Sequence, residues 1–175
     1  DDWHYTDSPI VFNNWYGGEE YDATKEIKDW CDFNQTYDNW NPVVIKEAPG
    51  GAQSAKLKAK EYPPIRIMEE LTPISVKQIK NGNYLVDMGR NGAGFEKIIL
   101  RGTTQDMAGT VVTMYPTEIL NEDGSFNQYT CTQGDPGVIY DAYTIKGVGE
   151  ENWHPSFAYH GYRYLEVKGF PGVPT

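Results

Sequence analysis

The chain has 175 residues, with 25 Asp and Glu against 15 Lys and Arg, for a net charge of −10. That length suits one domain with a substantial core, and the acidic balance excludes a basic nucleic-acid footprint and disfavours an anionic membrane surface. No run approaches the ~18 apolar residues of a membrane-spanning helix, and the opening Asp1-Asp2-Trp3 lacks the basic region and apolar run of a signal peptide, so we expect a piece cut from something longer.

Along the chain, residues 1–64 read as irregular, with Trp3, Trp15, Trp30 and Trp40 set among turn residues. Tyr21 to Trp30 is expected as a short helix. From Ser54 a period-two pattern runs through Ala55, Leu57 and Ala59 until Pro63-Pro64 ends it. Strands are then expected at Ile65–Glu69 and Ile74–Lys80, with Asn81-Gly82 as a hairpin turn returning through Tyr84-Leu85-Val86. Further strands follow at Lys97–Arg101, Thr110–Tyr115, Val138–Ile145 and Phe157–Val167. With 13 Tyr, 5 Trp, 18 Gly and 11 Pro, strand formers alternate with turn formers. The reading is all-β, a single jelly-roll β-sandwich spanning 1–175.

The motifs that would announce a reaction are missing. There is no Gly-x-Ser-x-Gly elbow, phosphate-binding Gly-Lys-Ser/Thr loop, His-Glu-x-x-His or acidic calcium loop. His154 and His160 could share a strand face, although buried or capping histidines are the plainer reading. Cys31 and Cys131 form no CxxC pair. We expect them unbridged, as small thiols filling space among aromatic rings. Asn34-Gln35-Thr36 matches a glycosylation acceptor, which matters only in a host that glycosylates.

Three segments concentrate glycines, aromatics and charge: Trp15–Asp22, Asp87–Phe95 and Trp153–Tyr164. The glycines of the second either admit a ligand close to the backbone or form a bulge. Arg163, between Tyr162 and Tyr164, is expected in a buried ion pair with Glu118, whose truncation would be strongly destabilising.

Together these segments resemble the N-terminal β-sandwich region of bacterial α-L-rhamnosidases, glycoside hydrolase family 78, with its rhamnose-binding module, carbohydrate-binding module family 67. Tyr-Gly-Gly-Glu-Glu-Tyr-Asp-Ala-Thr at Tyr16–Thr24 matches the family's Tyr-Gly-Gly-Glu-x-Tyr-Asp-Ala-Arg. Asp29-Trp30, Tyr37–Trp40, Pro63–Arg66, Asp87–Asn91, Glu118–Leu120, Asp123-Gly124, Asp141–Thr144 and Pro155–Tyr164 follow in the family's order. Thr24, Arg90 and Ser156 depart from its Arg, Gln and Arg.

The resemblance implies a module outside the catalytic (α/α)6 barrel, one that binds and does not cut. It also implies a bacterial protein acting outside the cytoplasm, extracellular or periplasmic. Its implied ligand is terminal L-rhamnose on a glycan, held with calcium, a cation that takes six to eight oxygens and can share vicinal hydroxyls. Candidate binding residues are Asp38, Asn39, Trp40, Asn91, Asp22 and Trp153, of which Asp38, Asn39 and Asn91 are the candidate calcium ligands. Glu19 and Asp87 are further candidate acids. The Asp38-Asn39 loop and an Asp87–Phe95 loop are expected to meet at one end of the sandwich. Two other readings stand beside this one: a structural sandwich that packs on the barrel of the parent and binds nothing, and a complete small glycosidase.

Overall fold

The computed structural model describes residues 3–34, 36–46, 58–132 and 138–174. In chain order its strands are β1 (His4–Tyr5), β2 (Ile10–Asn14), β3 (Gly18–Asp22), β4 (Asn41–Pro42), β5 (Ser75–Gln78), β6 (Tyr84–Gly94) and β7 (Ile98–Thr103). These are followed by β8 (Val111–Thr117), β9 (Ile119–Leu120), β10 (Phe126–Asn127), β11 (Asp141–Thr144), β12 (Gly149–Trp153) and β13 (His160–Lys168). Two compact units result, Asp1–Asp7 with Asp29–Glu70, and Ser8–Lys28 with Leu71–Thr175. In the first, β1 pairs antiparallel with β4, and Trp3 and Trp30 are exposed.

The second unit is the sandwich. Seven strands form one sheet in the order β2-β3-β11-β8-β13-β6-β5, and β12 pairs with β7 in a two-stranded ribbon. Every neighbour in the large sheet is antiparallel except β3 with β11. Ile98 and Leu100 of β7 and Trp153 of β12 share one buried cluster with Val86, Val112, Met114, Leu165 and Val167 of the large sheet. Alternation along β8 and β13 puts these side chains on one face. Burying each aliphatic one stabilises by about 1.5–3 kcal/mol. The architecture is the expected all-β sandwich.

Individual elements correct the sequence reading. Ile65–Glu69 is exposed and belongs to no strand, because Pro63-Pro64 and Pro73 flank it and remove backbone donors. The period-two stretch from Ser54 lies mostly outside the described residues. In place of a helix from Tyr21, β3 ends at Asp22 and a single 3-10 turn follows at Ala23–Lys25. β2 and β3 form a hairpin whose turn is fixed by Asn14, its Oδ1 accepting from Tyr16 N (2.9 Å) and Gly17 N (3.0 Å). Gly18, with φ of 116°, passes so close to β11 that a Cβ there would lie 1.9 Å from the Tyr140 carbonyl oxygen. No bulkier residue lets β3 join the sheet.

Candidate functional site

The glycine-rich Asp87–Phe95 segment is not a loop. It lies almost wholly in β6, whose register against β13 jumps from Tyr162↔Gly92 to Tyr164↔Asp87. The residues between bulge outward opposite Arg163, with Gly89 at φ of 86°. Asp87 holds this bulge together. Its Oδ1 accepts from Gly89 N at 2.7 Å, and its carboxylate takes both Arg163 Nε (2.9 Å) and Nη2 (3.0 Å). The hydrogen bonds from Arg163 lower the Asp87 carboxyl below its usual range. Arg163 therefore pairs with Asp87 and not with Glu118. At 37% side-chain exposure it is only half-buried, because the bulge opens that side of the sheet to solvent.

Glu118 instead meets Asn91, whose Nδ2 donates to its Oε1 at 3.0 Å. Asp22 is occupied as the cap of the 3-10 turn, accepting from Thr24 N and Oγ1 at 3.1 and 2.6 Å, with Lys25 Nζ at 3.7 Å. Trp153 is a core residue, 7% exposed, packed on Tyr143 and Tyr21 at centroid distances of 5.6 and 6.0 Å. Its ring has no face to offer a sugar. Asp38, Asn39 and Trp40 belong to the first unit, on a turn closed by Trp40 N donating to Tyr37 O at 2.9 Å. There the Tyr37 and Trp40 rings meet edge to face at 5.0 Å, and Asp38 and Asn39 are exposed. Among the described residues no three His, Cys, Asp or Glu side chains converge on a point that could hold a metal. A calcium ion on Asp38 and Asn39 would complete its shell from carbonyls, water and ligand hydroxyls, which suits its oxygen chemistry.

A buried acidic cluster was not anticipated. Glu19 and Asp141 are fully buried, Glu96 is 6% exposed and His160 is 7% exposed. Asp141 accepts from Glu19 N at 2.7 Å and contacts His160 Nε2 at 2.7 Å. The Glu19 carboxylate accepts from Ser156 N, Phe157 N and Asn13 Nδ2, each at 3.1 Å. It anchors the turn before β13 and is not open to a ligand. Among the described residues, neither carboxyl oxygen of Glu96 has a hydrogen-bond partner. Burial first, and then the Asp141 charge, push the Glu96 carboxyl well above its usual range. Burial without a partner therefore favours the neutral form of this carboxyl over the charged one.

His160 leads outward to a cleft of about 260 Å³ on the second unit, lined by Trp15, Tyr16, Glu118, Cys131, Tyr159 and His160 among others. Trp15 is 74% exposed and Tyr159 is 52% exposed. Tyr16 packs edge to face on Trp15 at 6.2 Å, and its hydroxyl donates to the Cys131 carbonyl at 2.8 Å. The Trp15 and Tyr159 segments were singled out in the sequence. Their convergence depends on β3 pairing with β11, which no local pattern announces. Both cysteines are free thiols, Cys131 half-buried and Cys31 exposed, so Cys31 fills no space in a core.

Two family models cover the chain: the α-L-rhamnosidase N-terminal domain over residues 1–69 and the bacterial α-L-rhamnosidase concanavalin-like domain over 77–175. An α-L-rhamnosidase of Streptomyces avermitilis is 35% identical over 99% of this chain, and one of Formosa agariphila 33% over 98%. The chain spans only 16% and 17% of those proteins. Among solved structures, α-L-rhamnosidase from Dictyoglumus thermophilum superposes with a TM-score of 0.84 at 38% identity, over 97% of this chain and 18% of that one. The Streptomyces avermitilis enzyme complexed with L-rhamnose gives 0.83 at 34%, over 99% and 16%. The chain belongs to the bacterial α-L-rhamnosidase family, of which it corresponds to the non-catalytic N-terminal region.

Proposed function

We propose that this chain is the glycan-binding accessory part of an α-L-rhamnosidase, holding terminal L-rhamnose with the help of calcium. The observation that carries this reading is 35% identity across almost the whole chain to a rhamnosidase of whose length the match covers 16%. Calcium would be held through the Asp38 carboxylate and the Asn39 amide oxygen, which stand exposed on one turn beside Trp40. Trp40, half-buried against Tyr37, has an indole of the kind that stacks on the apolar face of a pyranose. The parent enzyme would cut rhamnosides outside the cytoplasm, and this part would keep its glycan close to the catalytic barrel.

The test is isothermal titration of the 175-residue chain with L-rhamnose, with calcium and then with excess chelator. Binding that calcium strengthens, and that Asp38→Ala abolishes without lowering Tm, supports the reading. No binding under either condition defeats it.

A second reading, packing against the parent's barrel, is favoured by one observation. A shallow groove of about 450 Å³ runs over Val111, Thr113, Tyr115 and Ala142 on the face of the large sheet. Val111 and Val138 are exposed there. Tm of the isolated chain against that of the full-length enzyme distinguishes the two: a marked rise in the full-length context supports packing.

A further inference from the structure

We propose that the cleft of the second unit is a separate, metal-free binding site for one neutral pyranose ring. The site goes beyond the calcium-assisted reading and rests on different residues. Three rings that would ordinarily be buried stand around it, with Trp15 74%, Tyr159 52% and Tyr16 44% exposed. Apolar rings gathered at one exposed place mark a binding surface more often than they mark chance.

These rings are held in place. Asn14 fixes the turn that carries Trp15 and Tyr16, and the Tyr16 hydroxyl is tied to the Cys131 carbonyl. On the opposite wall, the tight Glu19 anchorage of Ser156 and Phe157 positions the chain just before Tyr159. A ligand entering such a site orders little, so less of its interaction energy is lost to conformational entropy.

The polar equipment is the Glu118 carboxylate. Asn91 Nδ2 uses one acceptor position of Glu118, and a carboxylate has about four. The remaining positions are left to accept from sugar hydroxyls. An indole or phenol under the apolar face of the ring, with acceptors at its edge, is what a pyranose requires. The same wall decides the charge of the occupant. Among the described residues that line the cleft none is Lys or Arg, and the chain carries −10 overall. A uronate or sulfated sugar would meet the Glu118 carboxylate and the acidic chain, so the occupant is neutral.

The experiment uses the 175-residue chain in excess chelator, followed by tryptophan fluorescence and saturation-transfer NMR. Methyl α-L-rhamnoside, methyl α-D-glucoside and D-galacturonate are the probes. The expected result is millimolar binding of at least one neutral probe with a change in tryptophan emission, and at least tenfold weaker binding of galacturonate. Trp15→Ala and Glu118→Gln should each weaken the neutral probe at least tenfold with unchanged Tm, because Trp15 is exposed and the Gln amide oxygen can still accept from Asn91 Nδ2 as the carboxylate does. Asp38→Ala should leave this binding untouched. Equal binding by wild type and Trp15→Ala overturns the site, even if calcium-dependent binding through Asp38 survives. So does the absence of any neutral binding in chelator. A concentration-dependent dimer that Trp15→Ala dissolves, with no response to sugar, identifies a second copy as the occupant and also overturns it.

Discussion

Glu96 is the side chain whose chemistry departs furthest from its ordinary behaviour. An acid with a raised folded-state pKa binds its proton more tightly folded than unfolded. Its presence therefore weakens the fold progressively as pH rises above the ordinary Glu range. Glu96→Gln keeps the shape and removes the group that burial and the Asp141 charge disfavour when ionised, so its Tm at pH 7 should equal or exceed that of wild type. A lower Tm at pH 7 would show that Glu96 is ionised and paired. Arg163 illustrates the reverse case. It sits half in solvent on Asp87, so Arg163→Ala should lower Tm only modestly, chiefly by loosening the bulge that Asp87 caps. Loss of folding would mean a buried pair after all. The thiols differ in access: with a chromogenic disulfide reagent Cys31 should react at once. Cys131, whose Sγ lies within 3.9 Å of the Pro116 and Gly161 carbonyls, should react more slowly. A count of zero before reduction would overturn the free-thiol assignment.

At the scale of elements, β12 hangs on Glu151. Its carboxylate accepts from Thr103 Oγ1 (2.6 Å), Lys146 N (2.7 Å), Tyr143 Oη (2.8 Å) and Gly147 N (2.9 Å). Burial alone would raise this carboxyl, yet the four donors outweigh it and lower it to about 2. They join β7, β11 and the loop before β12 through one side chain. Glu151→Gln should lose about 2–4 kcal/mol, since buried donors lose their anionic acceptor. A Tm unchanged at pH 7 would show that water replaces the carboxylate.

Legibility in the sequence divides along the same lines. β5, the Asn81-Gly82 turn, β8 and β13 were readable, because alternation and turn chemistry are local properties. β3 and β12 were not, since Gly-Glu-Glu-Tyr-Asp and Gly-Glu-Glu-Asn-Trp carry acids at inward positions. Those acids are buried only because several donors converge on them, from Ser156 and Phe157 far along the chain for Glu19 and from Thr103, Tyr143, Lys146 and Gly147 for Glu151. For the same reason Trp153 read equally well as a sugar platform or as core, and Asn91 as a loop ligand. Chain reversals bring Glu118 to Asn91 and Tyr159 to the Trp15 cleft, and such reversals leave no mark on either segment.

For the whole molecule, the opposed carboxyl groups set a pH profile. Glu151 and Asp87 have lowered folded-state pKa values, so their stabilisation is complete above the ordinary carboxylate range and is lost as pH falls below about 4. Glu96 acts in the other direction, its penalty growing as pH climbs from that range toward its raised folded value. Net charge adds to the neutral-side loss. The chain carries −10 at pH 7 and nears zero at its pI of about 4.7, so self-repulsion falls on mild acidification. All three effects place maximal stability near pH 5 and not at neutrality. Thermal melts at dilute concentration from pH 3 to 8 should show Tm falling on both sides of that point. The Glu96→Gln variant should flatten the limb from pH 5 to 7 while leaving the acid limb unchanged. A wild-type Tm still rising between pH 5 and 7 would mean that the Glu96 proton is not held, and that charge repulsion does not govern this chain.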